Sequence, residues 1–257
     1  MNAVEVRNLS FNYKGAFVFD NLSFNVKKGS FITIVGKGGS GKSTLFRIFV
    51  GELKYNGSIL ILDKSIKTSL ENGNLGLISP DLYYFKNDIV IDELIDNLRY
   101  KGIDLYKIKS KINRVSKKIG VLDILNKRVI DLSSKERIMV MFALQLLLKP
   151  KVLIIDNCFS FLDTEKKVII REVKRVFKKC TVINITNEVD ECLEGDEVIF
   201  LNDNITKKDI HLLDSDDFLS NDLAVPFLIS LSDKLKFYGL TDKLYLNIER
   251  LIDDLWE

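Results

Sequence analysis

FITIVGKGGSGKST, residues 31–44, decides the fold of this 257-residue chain. The first five residues, 31–35, predict a short strand that is buried on both faces. The pattern G-x-x-x-x-G-K-S follows at once over residues 36–43, and residues 45–50 continue with helical character. A strand, a glycine-rich loop and a helix in this order predict a phosphate-binding loop. The alternative, a glycine-rich turn without a ligand, is disfavoured because both neighbouring elements are present.

The glycine-rich loop predicts how a nucleotide's phosphates are bound. Glycine lets the backbone curl so that successive N–H groups point inward, and the positive end of the following helix reinforces them. The lysine supplies a mobile charge for the β- and γ-phosphates, and the next hydroxyl supplies an oxygen for Mg²⁺. The candidate residues are Gly36, Gly38, Gly39, Ser40, Gly41, Lys42, Ser43 and Thr44, the last expected near the α-phosphate.

A second apolar strand, residues 152–156, ends in a carboxylate, Asp156. Many strands end in aspartate, so this feature alone is a weak signal. Paired with the phosphate loop upstream, it predicts that Asp156 holds Mg²⁺ through water. The expected metal-binding residues are therefore Ser43 and Asp156.

Short strands alternate with helical stretches along the chain, which predicts an α/β fold with a mostly parallel sheet. Charged, helix-spaced sequence from about 86 to 148 predicts a helical insert in a main domain of residues 1–205. Residues 206–257 are irregular and acidic, and they predict a small C-terminal accessory region. Further strands are expected at 4–6, 22–26, 57–62, 75–78, 181–185 and 197–201, and helices at 132–148, 165–177, 226–238 and 245–256.

Composition narrows the class of protein. The chain has 38 basic and 36 acidic side chains, so no overall field attracts nucleic acid. The basic residues between 107 and 118 favour a solvated helix face or a docking surface over phosphate binding. Three cysteines without a C-x-x-C pair indicate a reducing cytosol. No leader pattern and no run of about 18 apolar residues is present, so we expect membrane contact only through partners.

With these motifs the chain resembles the ABC ATPase family and, more narrowly, the ATPase subunits of energy-coupling-factor importers. Residues 10–13 (SFNY) are similar to the family's opening motif, and 131–136 (DLSSKE) take the place of its LSGGQ signature. Residues 160–163 (SFLD) match its D-loop, and Thr186-Asn187 lie where a Thr-His pair normally ends the next strand. Residues 225–239 and the terminal Leu255-Trp256 are similar to the ending of the narrower group. The resemblance covers nearly the whole chain.

The resemblance implies a P-loop NTPase of ABC ATPase type with an antiparallel β subdomain, and ATP and Mg²⁺ as cofactors. It implies that Tyr13 stacks on adenine, with a buried strand tyrosine as the competing interpretation. It also implies a head-to-tail ATPase dimer in which Ser133, Ser134 and Lys135 face the partner's nucleotide. The implied partners, at the cytoplasmic face of the membrane, are a second ATPase subunit, a membrane-embedded coupling protein and a membrane protein that captures a vitamin or metal ion.

Four motifs depart from the family pattern, and all concern chemistry. Asn157 replaces the glutamate after the second strand and cannot take a proton from water, a role worth ~10²–10⁴ in rate. Asn187 replaces the switch histidine, and Ser79 replaces the Q-loop glutamine. Ser-Lys-Glu replaces Gly-Gly-Gln in the signature, and His211, the single histidine, lies outside these motifs. These departures predict slow hydrolysis by this chain and favour a heterodimer with a competent partner.

Two other interpretations stay open. The chain is alternatively a regulatory or structural partner that binds ATP and scarcely hydrolyses it. A nucleic-acid-associated ABC protein is the third interpretation. It ranks last because the chain lacks a long coiled coil and a second ATPase cassette.

Overall fold

A computed structural model describes residues 1–81, 85–99, 104–202 and 205–256. The strands are β1 (Asn2–Tyr13), β2 (Ala16–Lys27), β3 (Phe31–Val35), β4 (Asn56–Ile61), β5 (Lys64–Ser65), β6 (Leu75–Ile78), β7 (Val152–Asp156), β8 (Thr181–Ile185), β9 (Glu197–Phe200) and β10 (Thr206–Asp209). The α-helices are α1 (Lys42–Val50), α2 (Ile66–Glu71), α3 (Val90–Arg99), α4 (Leu105–Ile119), α5 (Ser134–Leu148), α6 (Lys166–Val176), α7 (Ser215–Leu219), α8 (Phe227–Phe237) and α9 (Ile248–Trp256).

The central sheet has the order β10-β9-β3-β8-β7-β6. Strands β6, β7, β8, β3 and β9 are parallel, and β10 runs antiparallel at one edge. The predicted α/β fold with a mostly parallel sheet is confirmed. Because the carboxyl ends of parallel strands meet at one edge, this edge collects the segments that follow β3, β6, β7 and β8.

A second, antiparallel sheet has the order β2-β1-β4-β5. Its two long strands extend well beyond the predicted 4–6 and 22–26, because β1 and β2 pair over most of their length as a hairpin. The apolar face of this sheet, α1 and one face of the central sheet share a single buried core. The predicted antiparallel subdomain is therefore present, and it holds the phosphate-binding loop against β2.

The opposite face of the central sheet is covered by α5 and α6. Phe142, Phe159 and Ile170 lie in this second core and are almost fully buried. Cys158 and Cys180 belong to the same core, and both are free thiols. These cysteines therefore pack as small hydrophobic side chains.

The helical insert is built by α3, α4 and α5 around a third core that includes Leu94, Ile112 and Leu144. Ile108 and Ile112 are the buried side of α4, whereas Lys107, Lys109 and Arg114 are exposed. These basic residues are therefore exposed on one helix face, which fits both of the alternatives that the sequence favoured, a solvated face and a docking surface.

The C-terminal part differs from the prediction at residues 206–209. These residues were expected to be irregular, but they form β10, which pairs with β9. The sequence TKKD has no apolar alternation, so this edge strand depends on its backbone hydrogen bonds rather than on side-chain burial. The predicted boundary near Asp203 and the side chains of Asp163 and Trp256 lie outside the described residues. Among the described residues, every helix is too short or too polar to span a bilayer.

Candidate nucleotide-binding site

The phosphate-binding loop closes around the side chain of Lys42. Its ammonium group donates hydrogen bonds to the backbone oxygens of Gly36 at 2.5 Å and Lys37 at 2.8 Å, and to Ser40 Oγ at 3.2 Å. The side chain is only 7% exposed. Burial lowers the pKa of Lys42, and the charge of Asp156 opposes that shift. The lysine is thus a buried cation beside the loop's own oxygens, and incoming phosphate oxygens are natural replacements for them.

The glycines of the loop serve two different purposes. A Cβ at Gly41 would lie 2.6 Å from the ring of Phe19, and one at Gly36 would collide with the backbone oxygen of Leu201. These two glycines are needed for packing against the protein itself. A Cβ at Gly38 or Gly39 would meet nothing within 4 Å, and Gly39 has a φ of +83°. The middle part of the loop is therefore open, and its glycines are not required by packing against the protein.

Helix α1 begins directly after the loop and offers free backbone donors. Gly41 is its N-cap residue and makes no side-chain hydrogen bond to the first turn. The first N–H groups of a helix without a capping side chain are available to an anion, and the helix dipole favours negative charge there. Ser43 is exposed on this turn, whereas Thr44 is 8% exposed.

One cavity of about 120 Å³ brings six of the predicted site residues together. Its walls come from the segments that follow β3, β6, β7 and β8, as the parallel sheet requires. The predicted members are Lys42, Ser43, Ser79, Asp156, Asn157 and Asn187. Phe161 and Thr186 belong to motifs of the resemblance but were not expected as site residues, and Pro80, Asp81 and Ile185 were not anticipated from the sequence. Asp81 is the residue among these whose side chain carries a charge. Its position two residues after Ser79 could have indicated that it lies at the site.

Asp156 is partly buried at the end of β7. The pKa of its carboxyl is raised to about 6, first by burial and then by the charge of Asp81, while the charge of Lys42 opposes both. Burial makes ionisation of this carboxyl group unfavourable, and a cation bound beside it would stabilise the ionised form. Together with the Ser43 hydroxyl, this carboxylate gives hard oxygen donors of the kind that Mg²⁺ prefers.

Asn157 has a left-handed backbone conformation, with a φ of 48°. Its N–H donates to the oxygen of Ile185 at 2.8 Å, and its own carbonyl accepts a hydrogen bond from Ser160 Oγ at 2.9 Å. The Oδ1 atom is shielded from solvent and has no hydrogen-bond partner among the described residues. Asn157 lines the cavity, and a water or another donor that approaches this oxygen when a ligand binds would satisfy it.

The other two substituted positions also lie at the cavity. Ser79 is 2% exposed, and its Oγ accepts a hydrogen bond from the N–H of Asp81 at 3.4 Å. Asn187 is exposed at the rim, next to Thr186, whose Oγ1 accepts the N–H of Glu188 at 3.0 Å. Both side chains are therefore placed at the predicted site, and neither carries a group that titrates near neutral pH.

Tyr13 is 43% exposed, so the competing interpretation of a buried strand tyrosine is wrong. Its ring packs edge-on against Phe11 with centroids 4.8 Å apart, and its hydroxyl accepts a hydrogen bond from Arg47 at 3.4 Å. Arg47 lies one turn beyond Ser43 on α1, which brings the aromatic ring to the side of the phosphate-binding helix. An exposed aromatic face at this position is suited to stacking on a base.

The signature residues are not part of this cavity. Ser133, Ser134 and Lys135 are exposed at the start of α5, and Lys135 lines a separate cleft of about 590 Å³ between α4, α5 and α6. Ser133 is the N-cap residue of α5, and its Oγ accepts the N–H of Glu136 at 3.2 Å. The hydroxyl proton of Ser133 is not used by this bond and can be donated to an anion.

The residues present fit ATP and Mg²⁺. The loop offers backbone donors and a buried cation, and the adjacent cavity offers hydroxyl and carboxylate oxygens. Among the described residues, no group of three or more His, Cys, Asp or Glu side chains could hold a metal alone. This agrees with the usual Mg²⁺ site of a nucleotide, in which one or two carboxylates act together with phosphates.

Comparisons with known proteins agree with this geometry. The family model described as ABC transporter matches residues 19–160. An energy-coupling factor transporter ATP-binding protein EcfA1 from Oenococcus oeni is 33% identical over 100% of this chain and 98% of its own length. The protein of the same name from Mycoplasma mycoides is 30% identical over 98% of this chain, which spans only 65% of that relative.

Solved structures share the fold. The structure of cbiO1 from Clostridium perfringens, described as part of the ABC transporter complex cbiONQ, superimposes with a TM-score of 0.73 at 22% identity. It covers 92% of this chain and 95% of that one. A bacterial Atm1-family ABC exporter with ATP bound gives a TM-score of 0.70 at 23% identity. That superposition covers 86% of this chain and 40% of the exporter chain. The chain therefore belongs to the ABC transporter family, and its relatives are ATP-binding proteins of energy-coupling factor transporters.

Proposed function

We propose that this chain is the ATP-binding subunit of an energy-coupling-factor type importer. In such an importer, ATP binding and hydrolysis in a dimer of ATPase subunits drive uptake of a vitamin or a metal ion. The main support is that one cavity is lined by the lysine of the phosphate-binding loop, by Ser43 and by Asp156. The names of the full-length relatives support the type of transporter.

The site residues of this chain favour nucleotide binding over hydrolysis. Lys42 and the first turn of α1 bind the phosphates, Tyr13 stacks on the base, and Ser43 and Asp156 hold the Mg²⁺ that screens the phosphate charge. Asn157 faces the same cavity but has no carboxylate with which to accept a proton from water. Binding is therefore supported more fully than hydrolysis, and we expect this chain's own turnover to be slow.

The exposed start of α5 supports a dimer. Ser133, Ser134 and Lys135 lie outside the cavity that holds Lys42, so they would reach a nucleotide only on another subunit. We propose a head-to-tail heterodimer with a second, competent ATPase subunit. A membrane-embedded coupling protein and a substrate-binding membrane protein complete the assembly, with this chain at the cytoplasmic face of the membrane.

A second candidate function is a regulatory or structural partner that binds ATP and scarcely hydrolyses it. The specific observation in its favour is Asn157, which occupies the base position with an amide. Phosphate release after a single turnover, measured with the co-purified partner present, separates the two. Release confined to the partner's site favours the regulatory function.

Calorimetry with Mg-ATP tests the binding function. Replacing Lys42 by alanine removes a charged donor worth about 1.5–3 kcal/mol, so we expect roughly 10-fold to 100-fold weaker binding. Lys64→Ala, which removes an exposed lysine on β5, is the matched control and should bind normally. Purification from membranes, followed by identification of the accompanying proteins, tests the proposed assembly. A chain that binds no Mg-ATP beside its own partners would exclude the proposed function.

A further inference from the structure

Asp81 and Asp156 both line the nucleotide cavity, but only Asp156 belongs to a motif of the family. Asp81 follows β6 by three residues, and β6 pairs in parallel with β7 through Ile78 and Ile155. The segments that leave these two strands are consequently neighbours at the edge of the sheet. Asp81 and Asp156, one on each segment, line the same cavity as Ser43.

The two carboxylates face one cavity with little local positive charge. Lys42 is the one cationic side chain among the described residues that line it, and its ammonium group already has three oxygen partners on the loop. Asp81 is exposed and makes no ion pair with any described residue.

Two further observations point to a ligand between these groups. Asn157 lines the same cavity, and its Oδ1 atom is shielded from solvent and has no partner among the described residues. Ser79, which stands where the family has glutamine, has a short buried side chain whose oxygen accepts the N–H of Asp81. Ser79 therefore orients the loop that carries Asp81.

We propose that Asp81 supplies a second carboxylate to the coordination shell of the nucleotide's Mg²⁺, in place of the missing glutamine side chain. Mg²⁺ sites commonly use one or two carboxylates together with substrate phosphates. This inference rests on the proposed function, because it concerns the same cavity. It makes ATP binding by this chain depend on the divalent cation through two acidic side chains.

The test compares Asp81→Asn with the wild-type chain by calorimetry with ATP, in Mg²⁺ and in EDTA. Loss of an outer-shell partner of a metal ligand typically weakens metal affinity by about 10-fold to 100-fold. Loss of a carboxylate in the coordination shell should therefore reduce the gain in ATP affinity due to Mg²⁺ by at least about 10-fold. In EDTA the variant should bind ATP more tightly than the wild type, because one negative charge facing the phosphates is gone. Mn²⁺ titration followed by electron paramagnetic resonance should show the same loss of metal affinity.

Asp63→Asn is the matched control. Asp63 is exposed in the turn between β4 and β5, with a φ of 62° that asparagine accepts. The Asp63→Asn substitution removes the same charge outside the cavity, so this variant should retain the full gain in ATP affinity due to Mg²⁺.

If Asp81→Asn also retains the full effect, the assignment of Asp81 is overturned while the proposed function stands. Equal weakening in Mg²⁺ and EDTA, or a lower melting temperature with no change in metal dependence, overturns it as well. No ATP binding by the wild-type chain in either buffer overturns both proposals.

Discussion

Glu136 accepts a hydrogen bond from the backbone N–H of Ser133 at 2.8 Å, and Ser133 Oγ accepts the N–H of Glu136 at 3.2 Å. These reciprocal bonds form a capping box at the start of α5. Lys127 donates to the same carboxylate at 2.9 Å and 3.0 Å. The acidic residue that departs from the signature therefore fixes the segment that carries Ser133.

Replacing Glu136 by alanine should lower the free energy of unfolding by ~1 kcal/mol, because a helix loses half of its capping box. Glu136→Gln keeps an acceptor for the Ser133 N–H and loses only the ion pair with Lys127. That pair is partly exposed, so the glutamine variant should lie within about 0.5 kcal/mol of the wild type. Urea denaturation measures both values. Equal losses in the two variants would mean that the ion pair, rather than the cap, stabilises this segment.

The parts of the fold that could be predicted from the sequence are those in which burial dictates residue type. Strands β3 and β8 were predicted with their observed ends, because all five residues of each are buried. Strand β10 could not be found, because its polar residues pair through backbone groups that every sequence possesses. The capping box could have been found, since Ser133 and Glu136 have the required spacing.

The site was predictable where a motif fixes local geometry, and less so where tertiary packing decides. The loop around Lys42 and the position of Asp156 follow from sequence alone. The exposure of Tyr13 depends on the hairpin of β1 and β2 and on Arg47 from α1, which no local pattern reveals. Asp81 enters the cavity only because β6 and β7 are neighbours.

Replacing Tyr13 by alanine should weaken ATP binding by roughly 5-fold to 100-fold, since stacking of a base on an aromatic ring is worth ~1–3 kcal/mol. Binding of inorganic tripolyphosphate should not change, because that ligand has no base. Tyr13→Phe keeps the ring and loses only the hydrogen bond from Arg47, so it should bind ATP almost normally. Tyr238→Ala removes an exposed tyrosine from the C-terminal part and is the control. An equal loss of ATP and tripolyphosphate affinity would exclude stacking.

Replacing Asn157 by glutamate should raise the rate of phosphate release by about 10²-fold to 10⁴-fold, because it restores a general base. The same change should lower the free energy of unfolding by ~1 kcal/mol, since asparagine tolerates the left-handed backbone better than glutamate does. Single-turnover hydrolysis and urea denaturation measure the two effects.

Asn157→Asp is the comparison for that experiment. Aspartate tolerates the same backbone and has a carboxylate on a side chain one methylene shorter than glutamate. It should cost less stability and restore less activity. Fast hydrolysis by the unmodified chain would contradict the idea that the amide limits its turnover.

Glu191 gives a prediction on pH and stability. Burial raises the pKa of its carboxyl, although Asn184 donates to Oε2 at 2.8 Å and Lys166 lies 3.7 Å from Oε1. Between the unfolded and the raised native pKa, the native state binds more protons than the unfolded state, so the free energy of unfolding falls as pH rises. Glu191→Gln can still accept from Asn184 and has no charge to bury.

The stability of Glu191→Gln relative to the wild type should therefore grow from pH 4 upward and level off above the native pKa of Glu191. Urea denaturation at several pH values between about 4 and 7 measures this difference, in which the contributions of the other carboxyls cancel. Glu188→Gln removes an exposed carboxylate 3.5 Å from the same lysine, and because the charge of Glu188 also raises the pKa of Glu191, it measures how much of the pH dependence comes from this neighbour. A glutamine variant that is less stable at pH 7 than at pH 4, relative to the wild type, would mean that Lys166 outweighs the cost of burial.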